Sequence, residues 1–217
     1  MSGLFVTLEG PEGSGKTSQL GRLRRALEAD GRACLCTREP GGTPVGETVR
    51  RLIKDPDCFR SLGLAEVYLY AAARADHVER VIEPALARGE VVLCDRFTDS
   101  TVAYQGHGRG RSLDIIERLH RLPPLDRRPD LTLLLDLDPE VGLARVRTRG
   151  ATGPDGPGYD AAEIDFHRRV RAGYLAIARA EPGRVKVVDA ARPEDDVAVD
   201  LGALVRAALE GAARRPR

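Results

Sequence analysis

The octapeptide Gly10-Pro11-Glu12-Gly13-Ser14-Gly15-Lys16-Thr17 carries the residue types needed to hold a polyphosphate, at the spacing G-x-x-x-x-G-K-[ST]. Glycines let the main chain turn its N–H groups inward around a phosphate, where side chains would block them. A helix starting at the end of such a loop adds unpaired donors and a partial positive charge. The Lys16 ammonium can reach a phosphoryl group in transfer, and the Thr17 hydroxyl can bind Mg2+. The implied chemistry is nucleoside triphosphate binding by Gly10, Pro11, Glu12, Gly13, Ser14, Gly15, Lys16 and Thr17.

Such a loop works between a strand and a helix, and the sequence supplies both. Leu4-Phe5-Val6-Thr7-Leu8 is an apolar run long enough for one buried strand, and Leu20, Leu23 and Leu27 recur at helical spacing after the loop. Further β-like runs lie at 33–37, 91–94, 131–137 and 185–188, with helical stretches between them. Continuous apolar runs alternating with helices predict a five-stranded parallel sheet with helices on both faces, in one three-layer α/β domain spanning 1–217. The longest helical pattern covers about 64–88, and Pro84 predicts a kink or break in it. Glycine and proline dominate Ala151-Thr152-Gly153-Pro154-Asp155-Gly156-Pro157-Gly158, and arginines crowd its entrance, so a lid is expected at about 145–165. The end, Arg214-Arg215-Pro216-Arg217, reads as a solvated tail.

Ligands of open α/β sheets bind at the carboxyl ends of the strands. Four groups of residues are expected to converge there. Thr37-Arg38-Glu39-Pro40-Gly41-Gly42 forms a tight turn after the second run, with Arg50 on the next helix. Asp95-Arg96 ends the third run: the Asp can orient Mg2+ through water, and the Arg can grip a phosphate bidentately. Tyr70 and Arg74 share a helix face, placing an aromatic plane beside a donor. Ser100, Thr101, Tyr104 and Gln105 follow Asp95-Arg96; on an α-helix, Thr101 faces with Gln105 and Ser100 with Tyr104. A Gln amide offers one donor and one acceptor side, which suits a base edge with adjacent N–H and C=O.

Composition narrows the field. The formal net charge of +1 gives no global reason to bind nucleic acid or membrane. Lys16, Lys54 and Lys186 are the only lysines among 34 basic residues, so Lys16 stands out in an arginine-rich chain. Cys34, Cys36, Cys58 and Cys94 contain no C-x-x-C pair, which argues against zinc and for small buried thiols in a reducing compartment. No signal peptide or membrane-spanning run is present, and a cytoplasmic location is expected. His77, His107, His120 and His167 lack metal-ligand spacing and read as structural or surface residues.

With these residues in place, the chain resembles bacterial thymidylate kinases along nearly its whole length. The resemblance rests on the loop with its preceding Glu9, on Thr37 to Gly42, and on Ala72-Ala73-Arg74-Ala75-Asp76-His77. Asp95-Arg96-Phe97, Ser100-Thr101-Val102-Ala103-Tyr104-Gln105-Gly106 and Arg128-Pro129-Asp130-Leu131-Thr132 extend it. It implies a P-loop kinase fold, ATP and Mg2+ as cofactors, dTMP as substrate and a homodimer. Tyr70 then takes the place of the aromatic that stacks on thymine, and Arg74 bonds a thymine carbonyl. Thr101 and Gln105 read the base edge, and Arg50 and Arg96 hold the acceptor phosphate. Glu39 works near the deoxyribose or a metal-linked water, and Tyr104 disfavours a ribose 2′-hydroxyl. Thr17 and Asp95 attend the metal. Glu12 occupies the loop position that is Arg in the other family branch, so the transition-state arginine should come from the lid. There the chain departs from its relatives: most carry Asp-Arg-[Ile/Phe]-Glu, and 151–165 contains no Arg. Arg149 becomes the first candidate and Arg145 the second, with Arg149 and Arg192 near the adenine by position. Two alternatives stay open: a P-loop kinase for another monophosphate or small metabolite, and a P-loop ATPase or GTPase switch. The guanine-reading N-K-x-D motif is impossible, because the chain contains no Asn.

Overall fold

The structure, a computed structural model, describes residues 3–148 and 164–213. Its order is β1 (Leu4–Glu9), α1 (Lys16–Ala29), β2 (Cys34–Arg38), α2 (Pro44–Lys54), α3 (Pro56–Ser61), α4 (Ala65–His77), α5 (Glu83–Ala87), β3 (Val91–Asp95), α6 (Thr98–Thr101), α7 (Leu113–Leu119), β4 (Leu131–Asp136), α8 (Pro139–Thr148), α9 (Ile164–Ala180), β5 (Val185–Asp189) and α10 (Glu194–Ala213). Two π-helical turns, Val78–Ile82 and Val102–Gly108, extend α4 and α6. The strands form one 5-stranded sheet, ordered β2-β3-β1-β4-β5, and every pairing is parallel.

Alternation along the central strands divides the core. Leu4, Val6, Leu8, Leu131, Leu133 and Leu135 face α1 and α10, where Leu23, Leu27, Leu201 and Val205 meet them. Phe5, Val92 and Cys94 face the opposite way, onto Val78, Ile82, Ala85 and Leu86. Leu134 and Val185 share that second face with Val170 and Tyr174 of α9. Both faces are covered, and the three-layer α/β fold expected from the sequence is present.

Some details differ from expectation. Pro84 does not break the helix, because the π-helical turn just before it absorbs the disrupted hydrogen bonding. Of the four cysteines only Cys94 is buried. Cys34 and Cys36 lie on the edge strand β2, and Cys58 on α3, where the layers cover them only in part. Burial still pushes the Cys34 thiol up to about 11, with the neighbouring Cys36 adding to it. Most of the expected lid and the tail at 214–217 lie outside the described residues.

Candidate active site

The sheet order leaves a crevice where the chain reverses direction around β1, and the glycine loop fills its carboxyl end. Gly10, Gly13 and Gly15 have φ of 143°, 71° and 86°. Gly13 also lies against α8: a Cβ there would sit 2.2 Å from the Gly142 carbonyl oxygen, and one on Gly142 would sit 2.2 Å from the Glu12 carbonyl oxygen. The loop and the helix leading toward the lid therefore touch backbone to backbone. Lys16 Nζ folds into the loop, donating to the carbonyls of Gly10 (3.0 Å) and Pro11 (2.9 Å) and to Ser14 Oγ (3.2 Å). Burial, reinforced by Arg96, lowers its pKa.

The Thr17 hydroxyl donates to Asp95 Oδ2 at 2.9 Å, while Asp95 Oδ1 is buried without a hydrogen-bond partner. A hydroxyl beside an unsatisfied carboxylate oxygen, at the mouth of a phosphate loop, fits Mg2+. That ion keeps waters and phosphate oxygens as most of its ligands. Among the described residues, no group of three or more His, Cys, Asp or Glu could hold a metal by itself.

Arg96 is the only non-glycine residue with positive φ (68°) among those described. The turn aims its guanidinium into the middle of the site. NH1 donates to the Gly10 carbonyl (3.3 Å), Ser100 Oγ (3.3 Å) and the Tyr174 hydroxyl (3.2 Å). NH2 donates to Glu12 Oε1 (2.6 Å) and the Tyr104 hydroxyl (3.1 Å), and the group stacks 4.7 Å over the Tyr104 ring. Burial opposes the charge on Glu12, but Arg96, Lys16 and the donating Tyr104 hydroxyl outweigh it and bring the carboxyl down to about 2. Behind Arg96 lies Glu9, fully buried. It accepts from Phe97 N (2.7 Å), Ser100 Oγ (2.6 Å) and the Tyr174 hydroxyl (3.0 Å). Burial, with Asp99 nearby, raises its carboxyl to about 7.

Beside this hub opens a cavity lined by Glu39, Arg50, Tyr70, Arg74, Arg96, Ser100, Thr101, Tyr104 and Gln105. The structure thus brings together every residue named for the acceptor. The helix type differs from expectation, since α6 passes into a π turn after Thr101. The Ser100/Tyr104 and Thr101/Gln105 pairs nevertheless both face the cavity, as the spacing predicts. Arg74, 2 % exposed, is gripped from three sides. Its Nε donates to Glu39 Oε2 (2.8 Å), NH1 meets His120 Nε2 (3.0 Å), and NH2 donates to Thr101 Oγ1 (2.9 Å). Burial and the Arg74 charge push His120 down to about 3, so the ring is neutral and its Nε2 accepts from Arg74. Glu39 Oε1 also pairs with His77 Nδ1 (2.9 Å), and His77 Nε2 meets Thr37 Oγ1 (2.7 Å). Arg50 donates to the Pro40 carbonyl at 3.2 Å.

A second cavity runs over Lys16, Thr17 and Asp95 and shares Glu12, Glu39, Arg50 and Arg96 with the first. A third is lined by Ser14, Gly15, Gln19, Arg145, Thr148 and residues 190–194. Arg145 donates to the Ala190 carbonyl (3.0 Å) and Arg192 to Asp200 Oδ2 (2.5 Å). Arg145 therefore lines this third cavity with Arg192, and neither borders the first two. Arg149 lies outside the described residues.

Several residues that shape the site escaped the sequence reading. Of the histidines expected to be structural or surface residues, His77 and His120 are buried and structural, holding Glu39 and Arg74 of the acceptor cavity. Glu66, buried on α4, bonds Gln105. Its spacing to Tyr70 and Arg74, four and eight residues on, could have revealed it. Glu9 and Gly142 had fainter signals, an acid closing an apolar strand and a glycine within a helix. Tyr174 had none.

A phosphate loop after the central strand of an all-parallel sheet, with an arginine-centred acceptor cavity beside it, defines a P-loop kinase. The family model for thymidylate kinase matches residues 8–201, and the chain belongs to the thymidylate kinase family. It is 51% identical over 203 residues to a thymidylate kinase of Deinococcus radiodurans, covering 94% of this chain and 96% of that one. With a thymidylate kinase of a Synechococcus strain it shares 50% identity over 215 residues, covering 98% and 100%. The crystal structure of thymidylate kinase from Ehrlichia chaffeensis superimposes with a TM-score of 0.73 at 32% identity, over 95% of this chain and 99% of that one.

Proposed function

We propose that the chain transfers the γ-phosphoryl group of ATP to dTMP, giving dTDP and ADP. The observation that carries this reading is the adjacency of two cavities: the acceptor cavity and the phosphate cavity share walls of Glu12, Glu39, Arg50 and Arg96. An acceptor phosphate held by Arg96 and Arg50 then lies against the triphosphate end. Its attacking oxygen is already anionic near neutral pH, so the reaction needs positioning and charge neutralisation rather than a strong base.

The chain's own residues supply both. Lys16 leaves its loop carbonyls for the transferring group, and Glu12 keeps Arg96 and Tyr104 aimed while the acceptor enters. Tyr70 stacks on the base, Arg74 and Gln105 read its edge with Thr101, Ser100 supports Arg96, and Tyr104 crowds the sugar. Thr17 and Asp95 would hold Mg2+, which neutralises charge between the phosphates. Arg149, with Arg145 second, would supply positive charge to the transferring group, and a lid in this part of the chain would serve to exclude water. Arg192 borders the adenine. The chain acts as one domain and as a homodimer in the cytoplasm, with no nucleic acid or membrane as partner. No helix among the described residues is long and apolar enough to cross a membrane.

The test is a coupled ADP-release assay with MgATP and dTMP, dUMP, dCMP, dGMP, dAMP, ribosyl-TMP or no acceptor. Turnover strongest with dTMP and near zero without acceptor supports the reading. Preference for another acceptor removes the base assignment, and acceptor-independent hydrolysis removes the kinase.

A further inference from the structure

We infer that Glu66 is a positioning residue that sets the polarity of the Gln105 amide and thereby the base the acceptor cavity takes. The inference rests on the acceptor-site reading above. Glu66 and Gln105 are each 2 % exposed. Gln105 Nε2 lies 2.8 Å from Glu66 Oε1, and Arg109 Nε lies 3.4 Å from Glu66 Oε2. Arg109 is itself held 5.3 Å over the Phe166 ring of α9.

The Glu66 carboxyl group accepts from Gln105 Nε2 through one oxygen and faces the Arg109 donor with the other, so both of its oxygens are met by donors. The amide must therefore turn its NH2 toward Glu66. A planar amide has its oxygen on the other prong, so Gln105 Oε1 is the atom left for the cavity that Gln105 lines. Arg74 lines the same cavity and carries donors only, three of which are used on Glu39, His120 and Thr101. The wall therefore reads donor at Arg74 and acceptor at Gln105. The complementary base edge is a carbonyl next to a ring N–H, as in a 4-oxopyrimidine. A 4-aminopyrimidine presents the reverse pattern, an amine next to an unprotonated nitrogen, and meets like against like at both positions. Without a carboxylate at 66 the Gln105 amide could turn over and relax half of that discrimination.

The test compares dTMP with 5-methyl-dCMP, which has the same methyl group, sugar and phosphate and differs only at this edge. The variants are Glu66→Gln, nearly isosteric, and Glu66→Gln combined with Arg109→Leu, which removes the cation left behind. Thermal melts accompany the kinetics. We expect the ratio of kcat/KM values, dTMP over 5-methyl-dCMP, to fall about tenfold in both variants, chiefly through KM, as for one lost hydrogen bond. A ratio within twofold of wild type in either folded variant overturns the inference. So does equal loss of activity toward both acceptors, which would mark Glu66 as merely structural. If wild type itself does not phosphorylate dTMP, the kinase reading has failed, and that result is separate from an unchanged ratio in an active enzyme.

Discussion

Gly142 lies outside the phosphate loop, yet its replacement by alanine should disable the loop. A Cβ at 142 would sit 2.2 Å from the Glu12 carbonyl oxygen, where real contacts begin near 3.0 Å. Loop and helix must part by the better part of an ångström, and neither side of the contact is a side chain that can swing away. Overpacking of this kind costs about 1–3 kcal/mol, and each kcal/mol lowers the melting temperature of a domain this size by roughly 2–4 °C. The catalytic loss should be larger. Glu12 holds Arg96 at 2.6 Å, so displacing the Glu12 backbone displaces the acceptor arginine together with the donor loop. A misplacement near 1 Å costs about a hundredfold in rate. The assay is ADP release at saturating dTMP and MgATP, beside a melting curve. Gly211→Ala serves as control, because nothing lies within 4 Å of a Cβ there, and it should be neutral or slightly stabilising. If Gly142→Ala turned over within twofold of wild type, the loop and α8 would be free to separate, and the close backbone approach would have no bearing on catalysis.

Three other perturbations follow from the site. The folded-state pKa of Glu9, about 7, exceeds its ordinary value of 4.5. The stability linked to its proton is therefore full below pH 4.5 and lost as pH rises through 7. Glu9→Gln should abolish that decline, worth on the order of 3 kcal/mol, in urea titrations between pH 5 and 8. A decline of the same size in the variant would acquit Glu9. Asp95→Asn should lower turnover about 10- to 100-fold at fixed Mg2+, with partial recovery at higher Mg2+; a loss indifferent to Mg2+ would remove Asp95 from the metal. His120→Leu leaves an Arg74 donor unpaired and should cost about 1–3 kcal/mol in acceptor binding, read as KM, whereas His120→Gln keeps an acceptor and should recover most of it. Equal behaviour of the two variants would show that packing, not the hydrogen bond, matters there.

The strands were legible because their signal is local: runs of apolar residues, buried on both faces, bounded by loops. The phosphate loop was legible because glycine, lysine and threonine stand close together in sequence. The acceptor residues were reached by placing motifs at strand ends, which works because a parallel sheet sends every carboxyl end to one side. What escaped was support from a distance. Tyr174 reaches Arg96 from α9, 78 residues away, and nothing in its neighbourhood marks it among other buried aromatics. Gly142 gains its importance only from the approach of the loop. The π turn after Thr101 had no signal in the sequence, yet the Ser100/Tyr104 and Thr101/Gln105 pairs still share the cavity face that i, i+4 spacing predicts. The partners of the histidines were not legible, because His120 meets Arg74 across 46 residues and His77 meets Glu39 across 38.

The left-handed backbone at Arg96 has a consequence for engineering. A side chain in that conformation carries conformational strain of order 1–3 kcal/mol, and glycine would adopt it freely. Glycine there would shed the strain but also the guanidinium that pairs with Glu12 at 2.6 Å, and stripping a largely buried carboxylate of its partner costs about 3–5 kcal/mol, more than the strain returns. Consensus repair and laboratory evolution for robustness should hold this position fixed, because the contacts that aim the arginine are also those that make its left-handed backbone tolerable.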